Sequence, residues 1–174
     1  TQIPPTFDAV ANYRGITKWA ANINQLKRVP ELMRRAFSQL RHGRPGPVLL
    51  EIPGDLATAE CPDALDYHPV KPLKSAADPD AVRDLVTALL KASCPVINAG
   101  HGALWAEATD QLIALAELLH LPVMTTLAGK SAFPENHPLA LGTGGYTGTL
   151  MVDRFLQQTD FVLGVGTSFT RTPF

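Results

Sequence analysis

Glycines that directly follow short apolar runs are the residues of this sequence whose type and spacing could do chemistry. Three such stretches occur: Ala99-Gly100-His101-Gly102-Ala103, Thr125-Thr126-Leu127-Ala128-Gly129-Lys130 and Gly164-Val165-Gly166-Thr167-Ser168-Phe169-Thr170-Arg171. A backbone without Cβ atoms lets a ligand come close, and the start of a following helix presents unpaired amides to a phosphate or another polar group. In the first stretch Gly100 and Gly102 flank His101 but fall short of a full GxGxxG, so a ligand loop and a tight turn that merely needs glycine both fit. In the second, the backbone at Thr126 and Leu127 is the candidate contact, and Lys130 could meet an anion or stay solvated. In the third, Gly164, Val165 and Gly166 lead into hydroxyls and Arg171, a shelf for phosphate or ribose or else a flexible tail. A fourth cluster, Gly142 to Gly148, precedes a helix rather than following a strand. Its glycines cost too much chain entropy to be filler, so something packs closely there.

No catalytic or metal-binding constellation accompanies these loops. His42, His68, His101, His120 and His137 are scattered, and no Ser or Cys sits in a nucleophile elbow. Cys61 and Cys94 lack CxxC spacing and a nearby His cluster, and read as free thiols of a reducing compartment. Glu51 lies on a short apolar run with no partner near it in sequence, and reads as structural.

The elements that must position the loops follow from periodicity. Val29, Leu32, Met33, Ala36, Phe37 and Leu40 recur at helical spacing, with Pro30 in the first turn and Gly43 at the stop. The apolar run Pro47 to Pro53 then reads as a strand. From Gly54 to Ala77 the pattern dissolves around Pro62, Pro69 and Pro72, which suggests an extended, semi-rigid linker. Asp78-Pro79 opens a helix with the stripe Val82, Leu85, Val86, Leu89 and Leu90. After it come a strand at Pro95–Ala99, one long helix near Trp105 to His120 and a strand at Leu121–Thr126. A helix at Leu150–Gln158 and a strand at Asp160–Gly166 close the series. Helices alternating with short buried strands predict an α/β fold: a parallel, doubly wound, Rossmann-like domain, preceded by a helix–strand remnant of a second α/β domain. The expected boundaries are 1–57, a linker at 58–77, and 78–174. In such sheets ligands sit outside the carboxyl ends of the strands, where the glycine loops lie.

Composition bounds the partners. Of the 174 residues 18% are charged, below the usual quarter, so part of the surface is expected to lie against a neighbour. A formal charge of -1 without a basic field gives nothing to gather nucleic acid or an anionic membrane. No apolar run approaches the ~20 residues that span a bilayer, and without a leader pattern a cytoplasmic location is the default. The chain opens without Met and stops at Phe174 just after an apolar run, so both ends are expected to be cut from a longer protein.

With these residues laid out, the chain resembles the thiamine diphosphate-dependent enzymes of the acetolactate synthase-like family. Ile16-Thr17-Lys18, the Pro30 helix and Gly43-Arg44-Pro45-Gly46-Pro47-Val48-Leu49-Leu50-Glu51-Ile52-Pro53 resemble the end of that family's pyrimidine domain. Pro95-Val96, Leu121-Pro122-Val123 before Thr126-Leu127-Ala128-Gly129, Phe133-Pro134 before His137-Pro138, Leu141-Gly142, and Asp160 before a glycine-ending strand resemble its central domain. The resemblance implies a parent that makes or breaks a carbon–carbon bond beside a carbonyl, usually from a 2-oxo acid. In that family the activating glutamate lies earlier, and the Gly-Asp-Gly motif that holds the diphosphate through Mg2+ lies later. This segment is therefore expected to be catalytically incomplete by itself, working with the parent's remaining domains in a homo-oligomer, a dimer or tetramer. The resemblance also places FAD or ADP at Gly100–Gly102, Thr126-Leu127, Gly142 and Gly164–Gly166. Ser168 and Thr170 depart from the Gly-Val-Arg-Phe-Asp-Asp-Arg of acetolactate synthases and remove an arginine that helps hold the flavin, leaving Arg171.

Overall fold

The computed structural model describes residues 7–61, 66–71, 75–146 and 148–170. The chain divides into two compact units, Thr1–Ala76 and Ala77–Phe174.

In the first unit, β1 (Trp19–Asn22) and β2 (Val48–Glu51) pair in parallel, Trp19 opposite Val48 through Asn22 opposite Glu51. Between them runs α2 (Val29–Arg41), preceded in the chain by α1 (Ala9–Tyr13). Pro30 stands in the first turn of α2 beside the acidic Glu31, Arg41 stands in its last turn, and Gly43 follows at φ +63°. These are the residues a helix start, a helix dipole and a helix stop favour. Leu32 and Ala36, one turn apart, are buried. Arg35 lies over the Trp19 ring, 5.2 Å from its centroid. The remnant is thus larger than a helix and a strand. Trp-Ala-Ala-Asn has neither alternation nor an apolar run, and only its ladder with β2 makes it a strand. A further short helix, α3 (Gly54–Ala57), begins the stretch expected to be irregular.

The second unit carries a four-stranded parallel sheet in the order β5-β4-β3-β6. Its strands are β3 (Pro95–Ala99), β4 (Val123–Thr125), β5 (Ala140–Thr143) and β6 (Phe161–Val165). Helix α4 (Pro79–Lys91) leads into β3, α5 (His101–Trp105) and α6 (Thr109–Leu119) join β3 to β4, and α7 (Leu150–Leu156) joins β5 to β6. The central strand β3 sends alternate residues to opposite faces, as the pleat requires. Ile97 and Ala99 join Ala103, Leu112, Ala116 and Phe133 in one core, whereas Val96 joins Met124 and Val152 in another. Helices α5 and α6 therefore cover one face and α7 the other, which makes the sheet doubly wound.

Three expectations need correction. The helix expected near 105–120 is α6 and starts only at Thr109, after a break where Glu107 takes φ 53°, while the loop expected before it already forms the short helix α5. The cluster that starts at Gly142 does not stand clear of a strand: Gly142 lies within β5, which its weak pattern hid. The stripe of α4 is not a buried face, because only Leu89 is buried while Val82, Leu85, Val86 and Leu90 remain 41–65% exposed.

Candidate functional site at the carboxyl end of the sheet

Numbered by their sequence order within this unit, the strands run third, second, first, fourth. That is the first part of the doubly wound order whose ligand crevice opens between the first and fourth strands. Here those strands are β3 and β6, in register from Pro95 opposite Phe161 to Ala99 opposite Val165. The first and third glycine stretches leave these two strands side by side.

The two stretches meet backbone to backbone. Gly100 N–H donates to Val165 O and Gly102 N–H to Gly166 O, each at 2.8 Å, and Ala103 N–H donates to Gly100 O at 3.0 Å. A Cβ on Gly100 would overlap the carbonyl oxygen of Gly166, and one on Gly102 would lie 2.8 Å from Gly166 Cα. Gly166 itself sits at φ +61°, with its α-carbon against the Gly102–Ala103 peptide. Close packing of one loop on the other thus excludes side chains at all three positions. Val165 is half-buried at the end of β6, and Gly164 within that strand lies under the ring of Phe169, 2.5 Å from where its Cβ would be.

The loop after β4 closes onto the same place. Thr126 N–H donates to Ala99 O at 2.9 Å, and its Oγ1 accepts from Gly129 N–H at 3.0 Å, tightening a 3-10 turn over Leu127–Gly129. Gly129 packs on Ala99 and Gly100, where a Cβ would come within 2.6 Å of Ala99 O. The Leu127 side chain is 67% exposed. Lys130 is not a free cation but pairs with Glu135 at 3.2 Å. At β5, Gly142 takes φ +103° and packs against Thr149, whose hydroxyl donates to Leu141 O and accepts from Val152 N–H as the cap of α7.

Around these loops His101 and Trp105 stand exposed. The Trp105 indole N–H donates to His101 Nδ1 at 3.3 Å, and the rings meet edge to face with centroids 5.5 Å apart. The Ser168 and Thr170 hydroxyls bond each other at 2.7 Å. Arg171 lies outside the described residues. The structure thus brings Gly100, His101, Gly102, Thr126, Leu127, Val165 and Gly166 to one end of the sheet. Among the described residues no group of three or more His, Cys, Asp or Glu could hold a metal ion. No described helix is long and apolar enough to cross a membrane.

Two polar anchors are visible in the sequence only as parts of the family resemblance, with no sign of what they bond. Asp160 accepts from Ser93 N–H at 2.7 Å and from Cys94 N–H at 2.9 Å, tying the start of β3 to the start of β6. Those two backbone donors, Ser93 first and then Cys94, hold its carboxyl below the ordinary aspartate value. His137 accepts from Leu139 N–H through Nδ1 and bonds Glu117 through Nε2, while its ring meets buried Phe133 at 4.9 Å. For Asp160 the place at the start of the last strand is legible, but its amide partners 66 and 67 residues away are not.

A parallel sheet wound on both faces, with interlocked glycine loops at its switch point, defines a Rossmann-like α/β domain. Residues 82–173 match the family model for the central domain of thiamine pyrophosphate enzymes, and the chain belongs to that family. It is 35% identical over 172 residues to a probable acetolactate synthase large subunit of Methanococcus aeolicus, covering 94% of this chain and 28% of that protein. It is 36% identical over 166 residues to a glyoxylate carboligase of Escherichia coli O157:H7, covering 93% of this chain and 28% of that one. The crystal structure of benzoylformate decarboxylase from Polynucleobacter necessarius superposes with a TM-score of 0.76 at 26% identity, over 93% of this chain and 32% of that one. The chain therefore spans less than a third of the length of these relatives.

Proposed function

We propose that this chain is the end of the pyrimidine domain and most of the central domain of a thiamine diphosphate-dependent enzyme that decarboxylates or ligates 2-oxo acids. The boundaries proposed are 1–57, 58–77 and 78–174. The observation that carries this reading is the extent of the similarity: it runs through both units over 172 residues, not through the central domain alone. When bound, thiamine diphosphate supplies carbanion stabilisation for making or breaking a carbon–carbon bond beside a carbonyl. In this reading the residues that hold it and its Mg2+ belong to other parts of the parent enzyme, a homo-oligomer, and this segment has a supporting role. The chain alone, given thiamine diphosphate, Mg2+ and either pyruvate or benzoylformate, is expected to show no turnover. Sustained decarboxylation or carboligation by it would overturn the reading.

A second reading concerns the crevice, where FAD or ADP would meet Gly100, His101, Gly102, Thr126, Leu127, Gly142, Gly164, Val165, Gly166 and Arg171. Three of the amides that a phosphate cradle here would draw on have partners within the chain. The amides of Gly100, Gly102 and Ala103 are already engaged, and the space a ligand would use beside Gly166 is taken by backbone. These observations support a structural role for the glycines, as the seal between β3 and β6. Calorimetry with FAD and with ADP is expected to give no binding at micromolar affinity, and heat of binding in that range would restore a nucleotide module.

A further inference from the structure

The segment after α3 is rich in proline, and its described residues, 58–61, 66–71 and 75–78, form no helix or strand, which at first sight makes it a tether. Its backbone is nonetheless held by arginines. Arg34 donates from an η-nitrogen to Asp66 O at 3.0 Å, and Arg41 donates in the same way to Val70 O at 2.7 Å. Both arginines belong to α2, seven positions apart, which is close to two turns and puts both on one face of the helix. Seven residues of helix rise about 10.5 Å. The two carbonyls are four residues apart, and an extended proline-rich backbone covers about 12 Å in that distance. The spacings match, so 66–70 runs alongside α2 in the helix's own direction. The guanidinium of Arg41 also lies over the Phe37 ring, 5.3 Å from the centroid, which limits the rotamers it must give up to reach Val70.

We propose that Arg34 and Arg41 act as a two-point strap, fixing the stretch 66–70 onto α2 of the first unit. The strap uses carbonyl acceptors that a strand or helix would have occupied, and a fork-shaped donor suited to reaching them from a helix surface. It makes 66–70 a fixed extension of α2 and not a free strand of chain. The inference does not depend on the chemistry of the parent enzyme.

Tyr67 lies within the strapped segment and is 37% exposed, so chymotrypsin can report on it. In the intact 174-residue chain, cleavage of the Tyr67–His68 bond, read by mass, is expected to accelerate at least tenfold in the double variant Arg34→Ala/Arg41→Ala. Arg35→Ala, on the same helix but facing Trp19, is expected to leave that bond's rate unchanged. Arg34→Lys/Arg41→Lys is expected to recover part of the protection, because an ammonium can still reach a carbonyl. An unchanged rate in the double alanine variant, with wild-type thermal unfolding, would overturn the proposal. If that variant unfolds, hydrogen exchange at Tyr67–Val70 in the two single alanine variants decides instead: faster exchange supports the strap and wild-type exchange overturns it.

Discussion

Strands β3 and β6 are fastened at both ends, by different physics. At the carboxyl end the fastening is backbone on backbone: Gly100 and Gly102 bond Val165 and Gly166 at a separation that leaves no volume for a side chain. At the amino end it is one carboxylate, Asp160, bridging the Ser93 and Cys94 amides. The first seal cannot be titrated and tolerates no methyl group. The second depends on a charge and can be tuned by pH. The rigid seal is expected to keep its geometry in acid, and the opposite end of the sheet is expected to loosen.

The largest effect expected is at the rigid seal. Gly166→Ala forces a side chain into φ +61° and against the Gly102–Ala103 backbone, where neither partner can move aside. A loss of about 3 kcal/mol or more is expected in urea unfolding, the sum of left-handed strain and overpacking. Gly145→Ala separates the two causes, since Gly145 has φ +98° but open space around it. It is expected to cost only about 1–2 kcal/mol. Equal losses at the two positions would show that strain, not interlocking, dominates the carboxyl end.

The amino end is tested by acid. The Asp160 carboxyl is held low by its two backbone donors, so its ionised form is favoured by folding. Its contribution is present above the unfolded aspartate value and is lost as pH falls through the lower, folded value. Thermal unfolding of the wild type is therefore expected to lose stability through that acid window, and Asp160→Ala to lack that component while melting lower at neutral pH. Identical pH profiles in the two proteins would break the contrast between the ends.

Smaller effects sharpen it. Thr126→Val removes the hydroxyl that accepts from Gly129 N–H, and is expected to cost about 1 kcal/mol by the same logic as a lost helix cap. Lys130→Ala removes only an exposed ion pair with Glu135 and is expected to change unfolding by less than about 0.5 kcal/mol. A loss at Lys130 as large as that at Thr126 would mean the loop after β4 relies on charge as the amino end does.

Legibility in the sequence followed how local each cause is. The helix opened by Asp78-Pro79 carries its own start signal, and Asp78 does accept from Asp80 N–H. The strand at Pro95–Ala99 is legible because Val96, Ile97 and Ala99 are buried on both faces, which writes a continuous apolar run. Trp19–Asn22 and Ala140–Thr143 are strands through their neighbours, by ladders to β2 and β4, and no pattern of their own announces them. The exposure of Leu85 and Leu90 was hidden for a related reason, because periodicity names a face without saying what covers it. Within the site, glycine spacing located the loops at the strand ends but left open whether a ligand or the chain itself approaches them.

By itself the sequence determined the alternation of helices and strands, the ends of the elements that cap themselves, and membership of the thiamine diphosphate-dependent enzymes, because each is written in neighbouring residues. The tertiary structure alone decided which strands lie side by side, that Gly166 fills the space next to Gly100, that Arg34 and Arg41 reach the connecting backbone, and that Asp160 meets an amide 67 residues away. Those are contacts between distant parts of the chain, and their energy appears only once the sheet has closed the distance.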